Sequence, residues 1–147
     1  MKIKLKHYLF TAFREIFLYH YNSLEFRAKV FAAVLAANDD VDTKDYEKIR
    51  FVAQDIYEGN EDRISSLTLA TMEYVKKVHD DNGYNLDHLI HEISRDIKMM
   101  PRYAKKIDSQ KLMSLLDYEI DPDSLSYQIR IVEFLEELKK DYSDASV

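Results

Sequence analysis

Acidic side chains cluster at two places where one predicted helix ends and the next begins. Residues 38–42 read Asn-Asp-Asp-Val-Asp, and residues 117–121 read Asp-Tyr-Glu-Ile-Asp. The two stretches superpose with an offset of 79 positions, whereas matches further along, at residues 49–52 and 129–132, need an offset of 80. Carboxylate and carbonyl oxygens are the ligands that hard divalent cations prefer. The pattern therefore suggests a metal site and a weak internal repeat.

The spacing of these acids differs from that of an EF-hand calcium loop. Positions 1, 3 and 5 of such a loop are acceptable in both stretches, but position 6 must be glycine and position 12 a bidentate glutamate. Here position 6 is Thr43 or Pro122, and position 12 is Ile49 or Gln128. The EF-hand interpretation therefore fails in both stretches.

The run FRAKVFAAVLAANDDVDTKDYEKI around the first stretch resembles the TerB-like helical domain, which is named for tellurite-resistance proteins. The hallmark of that family is a small-residue helix, then Asp-Gly, a β-branched residue two positions on, and Glu four positions after that. The hallmark positions fall in order on Asn38, Asp39, Val41 and Asp45 in the first stretch, and on Asp117, Tyr118, Ile120 and Ser124 in the second.

The resemblance implies an all-α bundle with two related halves, whose acidic loops approach one another and hold a divalent cation such as calcium, magnesium or zinc. It also implies a non-enzymatic module that senses or scaffolds in stress-response complexes by binding other proteins. We expect the cation to be bound by Asn38, Asp40, Asp45, Asp117 and Glu119.

Helix capping offers an alternative explanation of the same acids. Asp and Asn are preferred N-caps, each worth about 1 kcal/mol, and acids in a first turn favour the helix dipole. Asp42, Asp45, Asp121 and Asp123 need no metal on this interpretation. These caps support the runner-up hypothesis, a metal-free helical interaction domain. Capping does not explain Asn38, Asp39 and Asp40, which follow the end of a helix, where negative charge is unfavourable, and these residues favour a cation.

The spacing of apolar residues is helical almost throughout. One stripe covers residues 5–17, Asn22 opens a second helix, Asp42 a third, and residues 64–78 form a fourth after a loop at 58–62. Further helices begin at the caps Asn85 and Asp108 and at Asp121-Pro122, with Pro101 interrupting between them. The sequence predicts one all-α domain over residues 1–147, a compact bundle of about seven helices with two weakly related halves.

Composition excludes several classes of function. The chain has no cysteine, which rules out thiol chemistry and thiolate metal sites, and only 2 glycines, too few for a phosphate loop. A net charge of −6 argues against nucleic-acid binding. No uncharged apolar run reaches the roughly 18 residues of a membrane span, and no secretory signal is recognisable. We expect a cytoplasmic protein without a transmembrane segment.

Histidines suggest two metal-dependent alternatives. His79-Asp80 is typical of HD-type hydrolases, with His20 upstream and Asp96 or Asp117 as further candidates. His88 and His91 lie one turn apart beside Glu92, without the i, i+4 spacing of a zincin. Neither set has a complete ligand pattern, so we predict no catalytic residues.

Tyrosine is unusually frequent, with 11 residues in the chain. Tyr19, Tyr21 and Tyr103 do not fall on a predicted buried stripe, and tyrosine is enriched at protein interfaces. These three residues suggest a surface for a partner protein or for a homodimer.

Overall fold

A computed structural model describes residues 22–38, 42–117, 119 and 121–145 of the chain. The helices are α1 (Asn22–Ala36), α2 (Thr43–Tyr57), α3 (Glu61–Asp80), α4 (Leu86–Met99), a 3-10 helix η1 (Pro101–Lys106), α5 (Ser109–Ser114) and α6 (Pro122–Ala145). None of the residues in those ranges lies in a strand, so the predicted all-α class is confirmed. The helix predicted at residues 5–17 lies outside the described part.

Polar side chains fix the helix starts at the predicted positions. Asp42, Asn85 and Asp108 each accept a hydrogen bond from a backbone N–H in the first turn of the following helix. The loop predicted at residues 58–62 is shorter than expected, because Asn60 also caps and α3 already begins at Glu61. Glu58 and Gly59 make that turn with positive φ angles of 46° and 82°.

Helix α1 lies at the centre of the bundle. It packs against α3, α4, η1 and α6, and its Ala28, Ala32 and Ala33 are fully buried. Side chains this small allow neighbouring helices to approach closely, as the alanine-rich sequence predicts. None of the described helices is long and apolar enough to cross a membrane.

A charged group is also buried in α1. Lys29 is only 9 % exposed, and its Nζ lies 2.7 Å from Asp96 Oδ2 and 3.8 Å from Glu92 Oε2 on α4. Glu92 also accepts a hydrogen bond of 2.8 Å from the Tyr84 hydroxyl. The two carboxylates compensate the buried ammonium, which locks α1 to α4.

The internal repeat is visible in helices α2 and α6 but not in the helices before them, because η1 and α5 stand where the offset would place a counterpart of α1. Helices α2 and α6 begin 79 positions apart, at Thr43 and Pro122. Their buried faces keep the same offset, through the pairs Ile49 and Gln128, Val52 and Ile131, and Ala53 and Val132. The one-residue slip inferred from sequence is therefore wrong. The buried positions of the two helices are 79 residues apart, as the helix starts are, whereas the matching residue types are 80 apart. Phe51, one of those matches, is 74 % exposed, whereas Ile131 is buried.

Candidate functional site

The two acidic loops meet in the folded chain. Asn38 follows α1, and Glu119 lies between α5 and α6. Asn38 Nδ2 donates a hydrogen bond of 2.5 Å to Glu119 Oε2, across 81 positions of sequence. The connection from α1 to α2 therefore touches the connection from α5 to α6. We call Asn38, Asp45 and Glu119 the acidic junction.

Asp45 joins the junction from the first turn of α2. Its Oδ2 accepts the Asp42 backbone N–H at 2.9 Å, while Asp42 Oδ1 accepts the Lys44 N–H at 2.9 Å, which together form a capping box. Burial is the main cause that raises the pKa of Asp45, and the charges of Asp42 and Glu119 raise it further. The hydrogen bond from the Asp42 N–H and the positive charge of Lys48 lower the pKa of Asp45. The charge of Glu119 is the smallest of these causes.

The carboxylates of the second loop also bind the start of α6. Glu119 Oε1 accepts the Asp121 N–H at 3.1 Å, and Asp121 Oδ2 accepts the Ser124 hydroxyl at 2.7 Å. The Ser124 hydroxyl and first-turn N–H groups lower the pKa of Asp121. Glu119 therefore connects the two loops, because its Oε2 accepts from Asn38 in the first loop and its Oε1 accepts from the backbone of the second loop.

The five residues predicted to bind a cation are placed differently. Asn38 and Glu119 are in contact, and Asp45 in the first turn of α2 is within reach of the charge of Glu119. Asp117 is exposed after α5 and faces the first two turns of α2. Asp40 lies outside the described residues; the 79-position offset makes it the sequence equivalent of Glu119.

The side-chain atoms at the junction that could bind a metal ion are all oxygens, apart from the amide nitrogen of Asn38. Two carboxylates and an amide suit calcium or magnesium better than zinc, which prefers nitrogen and sulfur ligands. Within the described ranges, no group of three or more His, Asp or Glu side chains is placed to hold a metal ion. A cation at the junction would need Asn38 to turn its amide oxygen inward and further oxygens from water or backbone.

An open groove lies beside the junction, between α2 and α5. It has a volume of about 660 Å³ and is lined by Lys44, Glu47, Lys48, Phe51, Ser114 and Asp117. Phe51 is the most exposed of the large apolar side chains in the described part of the chain. The sequence patterns did not single out Phe51, and the structure places it off the face of α2 that buries Ile49, Val52 and Ala53.

The histidines nominated for metal chemistry make structural contacts. His79 Nε2 lies 3.2 Å from the Ala36 carbonyl oxygen, so an N–H there donates to the end of α1. Asp80 Oδ2 pairs with Lys76 Nζ at 2.9 Å, and Asp96 pairs with Lys29. His20 lies outside the described residues.

The second histidine set lies at the surface. His88 and His91 are both exposed, and the His88 ring is tilted against the Tyr84 ring, with centroids 5.3 Å apart. Glu92 is engaged by Tyr84 and Lys29. Glu92 therefore links α4 to the loop residue Tyr84 and to α1.

The interpretation of Tyr103 as an interface residue is wrong. Its side chain is only 7 % exposed and stacks on Phe26, with ring centroids 5.0 Å apart. The 3-10 geometry of η1 turns it inward, which a purely α-helical stripe does not anticipate. Tyr19 and Tyr21 lie outside the described residues.

The chain was compared with known proteins by sequence and by structure. No family model matches it, no curated protein matches its sequence, and no solved structure matches its fold.

Proposed function

We propose that this chain is a non-enzymatic, TerB-like helical module that binds other proteins and that binds a divalent cation where its two acidic loops meet. The observation that carries the proposal is the hydrogen bond from Asn38 to Glu119. It joins two loops that are 81 positions apart in sequence, each rich in carboxylates.

Electrostatics at the junction favour a bound cation. Asp45 is largely removed from water, with a side chain 14 % exposed, and the negative charges of Asp42 and Glu119 act against its ionised form by repulsion, while Lys48 Nζ, 3.9 Å from Asp45 Oδ1, compensates part of its charge. A divalent cation would offset this repulsion and would link the first half of the bundle to the second. The oxygen donors make calcium or magnesium the expected ion.

The groove beside the junction supports the binding of a partner. Phe51 offers an apolar anchor, and Lys44 and Lys48 lie at the rim of the same groove. An amphipathic helix with one apolar anchor and a nearby acid fits this chemistry. Asp45 and Phe51 lie on α2 less than two turns apart, so an ion bound at the junction would order the helix that carries the groove.

Thermal unfolding in the presence of calcium, magnesium, manganese or zinc tests the cation. At a hundred times its dissociation constant an ion adds about 2.7 kcal/mol, which raises the melting temperature of a chain of this size by roughly 5–10 °C. We expect Glu119→Gln and Asp45→Asn to lose this shift. Asp62→Asn is the matched control, because Asp62 lies beyond the far end of α2, about 20 Å from Asp45 at 1.5 Å per residue. A shift that all variants keep would contradict the proposal.

Partner binding is tested with a pair of equally exposed apolar residues. Phe51 is 74 % exposed and Met99, at the end of α4, is 73 % exposed. We expect Phe51→Ser to lose proteins captured by the wild-type chain from a cell extract and Met99→Ser to retain them. Sedimentation of the purified chain shows whether a second copy is the partner. Equal capture by both variants would exclude the groove.

A metal-free interaction module is the second candidate. It is favoured by the capping contacts, since Asp42, Asp45 and Asp121 all bind backbone N–H groups or a neighbouring hydroxyl. On this alternative, no ion shifts the melting temperature and the effect of Phe51→Ser on partner capture remains.

A further inference from the structure

A second concavity lies away from the acidic junction, where α1, α2, η1 and α5 converge. Its volume is about 260 Å³, and Phe31 and Ile56 form its apolar part. The other lining side chains are all ionisable, four of them basic and two acidic. A concave patch that is net positive is unusual in a chain with a net charge of −6.

The two acids in this concavity are engaged by a single lysine. Lys111 Nζ lies 3.1 Å from Asp55 Oδ2 and 3.4 Å from Asp108 Oδ2. Asp108 also caps α5 through the N–H groups of Gln110 and Lys111. Lys111 is thus paired with both acids of the concavity.

The remaining three cations have no acid within salt-bridge distance in the described part of the chain. Arg27 Nη1 donates to the Tyr57 hydroxyl at 3.2 Å, and its guanidinium carbon lies 5.5 Å from the centre of that ring. Lys105 and Lys106 follow one another at the end of η1. With four basic and two acidic side chains lining it, the concavity is net positive.

The positive field acts on Lys106 in particular. Burial lowers the pKa of its ammonium group, and the charges of Arg27 and Arg102 lower it further. No carboxylate is among the causes acting on this group. Holding like charges together costs folding free energy, which a bound anion would offset.

We propose that this concavity binds the phosphate group of a small phosphorylated molecule, with Arg27 and Lys106 as its principal contacts. The planar guanidinium donates two parallel hydrogen bonds to a phosphate, and the lysine supplies a compact second charge. Phe31 and Ile56 offer an apolar surface to the body of the ligand. The volume is slightly below the roughly 300 Å³ at which drug-sized sites begin, which favours a ligand of few heavy atoms.

Amide chemical shifts of the full chain, recorded at constant ionic strength during titration with inorganic phosphate and then ethyl phosphate, test the proposal. We expect saturable shifts in η1 and the first turn of α5. Arg27→Gln and Lys106→Gln should weaken the affinity at least about tenfold, or 1.4 kcal/mol. Lys98→Gln removes the same charge from an exposed position on α4 and should leave the affinity unchanged.

Three results would overturn the proposal. One is the absence of saturable shifts with both probes. Another is an equal loss of affinity in Lys98→Gln, which would show general attraction by positive charge. The third is binding of a phosphoserine peptide when neither small probe binds, which would assign the concavity to a protein ligand. Because Arg27 also holds Tyr57, Lys106→Gln decides the outcome if Arg27→Gln does not fold.

Discussion

Removing either partner of the hydrogen bond between Asn38 and Glu119 is expected to destabilise the chain. The cost of each substitution should be smaller when the other partner has already been removed. A hydrogen bond to a charged group contributes about 1.5–3 kcal/mol, and the half-buried position of both side chains lowers this to about 1–2 kcal/mol. At roughly 2–4 °C per kcal/mol for a chain of this size, the melting temperature should fall by about 2–8 °C.

A double-mutant cycle isolates this contact from the others that each residue makes. Glu119→Ala also removes the acceptor for the Asp121 N–H, but this loss occurs in both the single and the double variant and cancels. Urea unfolding of Asn38→Ala, Glu119→Ala and the double variant, followed by circular dichroism, should give a coupling energy of about 1–2 kcal/mol.

The control cycle pairs Asn38→Ala with Asp62→Ala in place of Glu119→Ala, because Asp62 lies in the first turn of α3, beyond the far end of α2. Distant sites add within about 0.5 kcal/mol, so Asn38→Ala and Asp62→Ala should be additive. If the Asn38 and Glu119 variants are also additive, the two loops do not touch in solution, and the reasoning that joins them is refuted.

Three further outcomes follow from other contacts. Lys29→Met leaves Asp96 without its ammonium partner and should cost about 3 kcal/mol in urea unfolding, with part recovered in Lys29→Met/Asp96→Leu. The raised pKa of Asp45 means that the folded state holds this proton more tightly than the unfolded state. Stability from this group should therefore fall as pH rises above 3.8, and unfolding from pH 4 to 7 should show a smaller fall in Asp45→Asn. Phe51→Ser should change stability by less than about 0.5 kcal/mol, because the ring is 74 % exposed.

Helix starts were the most predictable feature of this fold. Asp42, Asn85 and Asp108 are caps whose effect is local, because an oxygen two or three residues before a backbone N–H needs no tertiary contact. Asn60 acts in the same way, but the charged run around it resembles a loop in composition. The sequence shows the 79-position offset in the acidic stretches but not in the helices after them, where Gln128 occupies the position equivalent to Ile49 and the match appears only from burial.

The candidate sites were less predictable because they depend on contacts distant in sequence. The resemblance implied that the loops of Asn38 and Glu119 approach one another, but the atoms that meet, Asn38 Nδ2 and Glu119 Oε2, follow only from the packing of the chain. Nothing in the local sequence distinguishes the Lys106 concavity from an ordinary basic surface. The compensation of Asp55 and Asp108 by Lys111 is visible only in the folded chain.

Substoichiometric manganese, observed through the amide signals of the labelled chain, tests most directly whether the two loops form one cation site. A single bound paramagnetic ion broadens the signals of residues near it. The account predicts that the signals of Asn38, Asp45 and Glu119 broaden together and recover when calcium or magnesium is added in excess. Broadening confined to one loop, or spread over exposed acids such as Asp62, would contradict it.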